Sequence, residues 1–139
     1  MATRADINNF KKPEYYSDIA TSFAITPVGK SLARVTDVES VKQSLRGLVL
    51  TNQGERLFQR DVGADIRRSL FDLANGNPFD FQLKLKIENT IEYYEKRVFN
   101  VKIDVETPVD SNELIVTIIF SIINNPDPIT LVINLQRVR

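Results

Sequence analysis

Apolar positions in this chain change period more than once, and each change marks an element. Val38, Val41, Leu45 and Leu48 recur at helical spacing just after Thr36, which with Glu39 has the form of a capping box, so a helix is predicted over 37–50. Thr51-Asn52-Gln53-Gly54 ends it, because glycine takes the left-handed conformation that closes helices, and a loop runs on to Gly63. A short helix is expected over 65–73, with Asp65 as its cap. Beyond Pro78, a residue suited to a first helical turn, Leu83, Ile87, Ile91, Tyr94 and Val98 fall on one face. Phe81, Leu83, Leu85 and Ile87 also alternate as a strand would. The helical spacing persists over the whole segment, so a helix is predicted over 79–97, with Glu92 and Lys96 as an i,i+4 pair.

Downstream the period becomes two. Phe99, Val101, Ile103 and Val105 alternate with Asn100, Lys102, Asp104 and Glu106, which predicts a strand with one buried and one wet face. Residues 114–123 are apolar at positions of both parities and are expected at the centre of a sheet, covered on both faces. Ile129, Leu131, Ile133 and Leu135 alternate again, and turn formers at 108–112 and 124–128 separate the strands of a three-stranded antiparallel meander. Helices ahead of such a meander imply an α+β fold, helices packed on a small antiparallel sheet. Upstream, residues 1–18 are polar and aperiodic and read as a flexible arm, leaving 19–139 as a single domain. Residues 19–25, followed by Pro27 and Gly29, read as an edge strand or an extended segment ending in a turn.

Composition narrows function by exclusion. A chain of 139 residues with 42% apolar content can bury one core, while 18 basic and 18 acidic residues cancel and leave no field to attract polyanions or anionic lipid. Arg67-Arg68 and Arg137-Val138-Arg139 are too few and too scattered to track a phosphate backbone, so they read as solvated charge and no nucleic-acid partner is expected. Histidine and cysteine are both absent, which removes thiolate and imidazole metal ligands, the commonest general base and any disulfide. No catalytic set, cofactor or metal is expected. The apolar stretch at 114–123 is broken by Thr117 and Ser121 and is too short to span a bilayer, and the first ten residues have no signal-peptide character, so neither secretion nor a membrane partner is expected.

In order and spacing, Ser17-Asp18-Ile19, Val41-Lys42-Gln43-Ser44-Leu45, Thr51-Asn52-Gln53-Gly54-Glu55-Arg56-Leu57-Phe58, Val62-Gly63 and Leu70-Phe71 form one pattern. With Tyr94-Glu95-Lys96-Arg97 and the C-terminal strands, it resembles the baseplate wedge and sheath-initiator family of contractile phage tails over roughly residues 17–136. The resemblance implies a structural virion protein of the tail baseplate, present in several copies and assembled in the host cytoplasm. Its implied partners are the wedge proteins that form a core helical bundle and the termini of the tail sheath protein. Docking onto the bundle is implied for the family's Glu-Pro-Arg signature, matched here by Glu95 and Arg97, with Lys96 where proline is usual. Leu57 likewise stands where the family tends to have proline after the loop arginine.

From the residues alone, Glu95 and Arg97 read as a solvated helix end, and positions two apart on a helix do not face each other, so no bond between them is expected. The resemblance makes them partner contacts instead, with Arg97 binding a carboxylate through its planar fork and Glu95 accepting from a partner donor. In the loop, Gly54 and Gly63 are expected to supply special backbone angles, Phe58 to anchor the loop in the core, and Arg56 to bind a neighbour or a carbonyl. The loop lacks the Gly-x-x-x-x-Gly-Lys pattern of a phosphate cradle. Some relatives are described as lysozymes, so a glycoside hydrolase is the rival reading. That chemistry needs two carboxyls, one of raised pKa. Glu55, Asp61, Asp65, Glu88, Glu92 and Glu95 all stand beside polar or basic residues, which reads as solvated surface.

Overall fold

A computed structural model of the chain describes residues 16–68, 79–108, 113–123 and 125–136. The expected arm up to residue 15, the distal part of the helix expected over 65–73, Pro78, the turn residues 109–112 and the terminal arginines lie outside the described residues. Those described form two compact units that divide between Ser40 and Val41.

In the first unit, strand β1 (Ser17–Ile19) pairs antiparallel with β2 (Arg34–Thr36), Ser17 opposite Thr36 and Ile19 opposite Arg34. Ser17 and Asp18, expected in the arm, are therefore strand residues, and the N-terminal strand joins β2 in a two-stranded sheet separate from the meander. Three residues are too few to carry a periodic signal, which is why β2 has none. Ile25 bridges Leu32 across the expected turn, where Gly29 (φ 105°) and Lys30 (φ 50°) take left-handed conformations. The Thr26 amide and hydroxyl both donate to the Ser31 carbonyl, at 2.8 and 2.9 Å. Helix α1 (Asp37–Leu50) has the predicted span, and its first residue closes the hairpin: the Asp37 amide donates to the Tyr16 carbonyl at 2.7 Å.

The second unit holds the core. α1 buries Val41, Leu45, Leu48 and Val49, and helix α2 (Phe79–Tyr94) buries Leu83, Ile87 and Ile91, most of the stripe expected from the 3.6-residue period; Val38 is only half-buried, Tyr94 is exposed, and Val98, expected on the same face, lies in a strand. α2 stops at Tyr94, short of the expected residue 97. Strands β3 (Val98–Glu106), β4 (Glu113–Ile122) and β5 (Asn125–Gln136) form the expected antiparallel meander, with β4 in the middle. Leu114, Val116, Ile118, Phe120 and Ile122 on one face of β4 are all buried. On the other face Ile115 and Thr117 are half-buried and Ile119 is exposed, so the expectation of two covered faces is corrected.

β3 departs from strict alternation. Val98 faces Ile122, but the register shifts between Phe99 and Lys102, where Asn100 takes a left-handed φ of 51°, and Ile103 then faces Ile118. The extra residue of this bulge flips the parity, so Phe99 lies opposite Ser121, on the face away from Phe120 and Ile118, and is exposed instead of lying in the core. Asparagine tolerates that conformation better than its neighbours would. β5 begins before the expected residue 129 because Pro126 and Pro128 lie in an edge strand, and a register shift between Phe120 and Ile122 absorbs them. Leu131, Ile133 and Leu135 are buried as the alternation predicts.

Candidate protein-binding site

The elbow between α2 and β3 is built around one carboxylate. Tyr94 is the last residue of α2, although the Glu95 amide still donates to the Ile91 carbonyl at 2.8 Å. The chain then turns through Lys96 and Arg97, and the turn brings together two side chains that a continuous helix would hold apart. Arg97 Nε donates to Glu95 Oε1 and Nη2 to Oε2, both at 2.6 Å, the two-pronged geometry of a guanidinium on a carboxylate. Ser44 of α1 donates its hydroxyl to Glu95 Oε2 at 2.7 Å, and the Ile123 amide donates to the Arg97 carbonyl at 3.4 Å. One buried carboxylate thus joins α1 to the elbow, and a backbone bond joins the elbow to the end of β4.

The expectation that Glu95 and Arg97 do not bond to each other is corrected, since it rested on a helix reaching residue 97. Burial pushes the Glu95 pKa up, but the Arg97 and Ser44 hydrogen bonds and the Arg97 charge outweigh it and hold the carboxyl below its ordinary value. The Glu92–Lys96 pairing takes a different form: Lys96 Nζ donates to the Glu92 carbonyl at 2.8 Å, capping the helix end, and sits 5.8 Å from the Tyr93 ring centroid. Tyr93 packs edge-on against Tyr94, with centroids 4.7 Å apart.

Residues 51–65 form a loop closed on itself. Gly54 donates to the Arg60 carbonyl at 2.7 Å, and Glu55 accepts from the Asn52 amide at 2.8 Å and from Asn52 Nδ2 at 3.2 Å. At its base a Cβ on Gly63 would meet the Thr51 carbonyl oxygen at 2.3 Å, and φ there is 126°. Gly54, with φ 90°, and Gly63 therefore take the roles expected of them. Phe58 does not: expected to anchor the loop, it is 98% exposed, and Val62, Ala64 and Ile66 anchor the segment instead. Alternation and spacing carry no information in an irregular loop, so the wrong apolar residue stood out. Arg56 lies on the exposed outer part of this loop.

Asp65 is a further buried carboxylate, with φ 54°, Lys86 Nζ at 3.5 Å and Arg68 Nη1 at 3.9 Å. Neither Lys86 nor Ser44 stands out in the sequence as a site residue. The only signal for Ser44 is a polar residue set directly beside the apolar stripe of α1. Of the carboxylates weighed for hydrolysis, Glu55, Asp61 and Glu92 are exposed, while Glu95 is held in its charged form, opposite to the raised pKa that a general acid needs.

Residues 35–127 match the family model described as baseplate wedge protein gp25. The chain is 34% identical over 115 residues to baseplate wedge protein gp25 of Enterobacteria phage T4, an alignment covering 82% of this chain and 85% of that protein. Among solved structures it is similar to a protein from Geobacter sulfurreducens described as a tail lysozyme, with a TM-score of 0.62 at 18% identity over 73% of this chain and 91% of that one. It is also similar to a chain of the anti-feeding prophage baseplate, with a TM-score of 0.60 at 18% identity over 86% of this chain and 83% of that one. At such identities the two structural likenesses carry the fold alone.

Proposed function

Since the chain belongs to the family of baseplate wedge proteins, we propose that it is a structural, non-catalytic subunit of a contractile tail baseplate that docks on the wedge's helical core and offers its sheet to the sheath. The observation that carries the sheath role is the strand order β3-β4-β5: each outer strand pairs on one side only among the described residues. An extended terminus of a sheath subunit can satisfy the outward amides and carbonyls in register, and a first ring so bound would template the next. β5 from residue 129 onward is the more regular edge, since a bulge interrupts β3.

Docking on the wedge core is assigned to the elbow and to Arg56. Glu95 and Ser44 fix the Arg97 side chain where part of it remains accessible, so Arg97 meets a partner without first having to be ordered. The test is reconstitution with the wedge and sheath proteins of the same baseplate. Proline placed along β3 and β5 at residues whose amides face the open edge should stop sheath growth while the fold persists, because it removes donors that only the partner uses. If every folded proline variant still nucleates sheath, strand addition is wrong. The rival hydrolase reading is met by a peptidoglycan turbidity assay, in which hydrolysis abolished by one Glu or Asp substitution would overturn the non-catalytic assignment.

A further inference from the structure

Leu57 and Phe58 are adjacent apolar residues, 86% and 98% exposed, on a loop that its own hydrogen bonds close. Isolated exposed apolar residues are ordinary on a protein surface. Two together on a loop pinned at Asn52–Glu55, Gly54–Arg60 and Asp65–Thr51 are not, because these bonds hold the loop away from the core. Arg56 and Arg60 flank them, both exposed and neither in an ion pair among the described residues, while the Glu55 carboxylate is engaged by Asn52.

We propose that Arg56, Leu57, Phe58 and Arg60 form a preorganised docking knob, whose two apolar side chains enter a cleft on another baseplate protein while the arginines meet carboxylates on the rim of that cleft. The inference rests on the reading of the chain as a baseplate subunit and adds to it a second contact, distinct from the elbow. Charge complementarity sets the partner's chemistry, since an exposed guanidinium is matched best by a carboxylate that binds both its prongs. An apolar anchor ringed by polar contacts is the usual form of an interface hot spot, and a loop already ordered loses little freedom on binding. A protein cleft is favoured over a lipid surface because the apolar set is only two residues wide and the chain has zero net charge.

The test uses the full chain reconstituted with the wedge proteins of its own baseplate, carrying a photo-crosslinking phenylalanine analogue at position 58. Crosslinks to an apolar segment of a different wedge chain, next to Asp or Glu, are expected. Phe58→Ser and the double change R56E/R60E should each weaken co-assembly about tenfold or more, with unchanged thermal unfolding. Crosslinks confined to a second copy of this chain, or binding that disappears only from vesicles containing anionic lipid, overturn the proposal in favour of self-association or a membrane. If the parent co-assembles and both variants do so equally well, the knob is wrong and the baseplate reading stands. If the parent does not co-assemble at all, both fall.

Discussion

The elbow at Glu95–Arg97 and the loop at residues 51–65 both carry arginines proposed to meet partners, yet they use their bonding capacity in opposite ways. At the elbow the side chains bond to each other and to α1, so charge that reads in the sequence as surface is part of the internal framework. In the loop the backbone and Glu55 do the closing, and the side chains of Leu57 and Phe58 are left out. Substitution at the elbow therefore mixes stability with binding, whereas substitution at the loop tip separates them.

The largest expected effect lies at the base of the loop. Gly63→Ala places a methyl group against the Thr51 backbone at an unfavourable φ and should destabilise by about 3 kcal/mol or more, read as a shift of the urea midpoint. A midpoint within error of the parent would mean that the loop base relaxes and the knob is not rigidly held.

Glu95→Gln comes next, at about 2–3 kcal/mol, because it removes the charge that strengthens three hydrogen bonds. The same residue makes stability depend on pH. Its folded pKa lies below the unfolded value of about 4.3, so its contribution is fully present above that pH and is lost as pH falls through the folded value. Acid unfolding curves of the parent should show this loss, and those of Glu95→Gln should lack it. Equal acid sensitivity in the two proteins would remove Glu95 from the framework.

Arg97→Lys keeps the charge but not the fork, and about 1 kcal/mol of stability should go with it. The smallest change is expected for Leu57→Ser and Phe58→Ser, within about 0.5 kcal/mol of the parent by thermal melting. A clear loss of stability at either would show that the tip packs on the chain itself, and the contrast between the two regions would disappear.

Where local pattern and local physics coincide, the fold is legible. α1 has its predicted span because a capping box and a 3.6-residue stripe agree, and the meander follows from period-two runs between turn formers. Both loop glycines are visible as glycines, but the demand on Gly63 comes from a carbonyl twelve residues earlier, at Thr51. The bulge at Asn100 reversed the face assigned to Phe99, because one inserted residue inverts everything a period-two pattern says about the residues on its far side. The end of α2 was similarly hidden. Glu95-Lys96-Arg97 contains no helix breaker, and the helix stops at Tyr94, where Glu95 bonds to Ser44 and Arg97 instead of lying on a helix surface.

The sequence by itself determined the α+β class, most of the core stripe of each helix, the inward residues Leu131, Ile133 and Leu135 of β5 and the position of the loop, since each depends on residues a few places apart. Only the tertiary structure decided that Glu95 is buried and paired, that Phe58 is bare and that the second face of β4 is only partly covered. Those outcomes depend on which distant groups arrive at a given point, and no spacing along the chain encodes that.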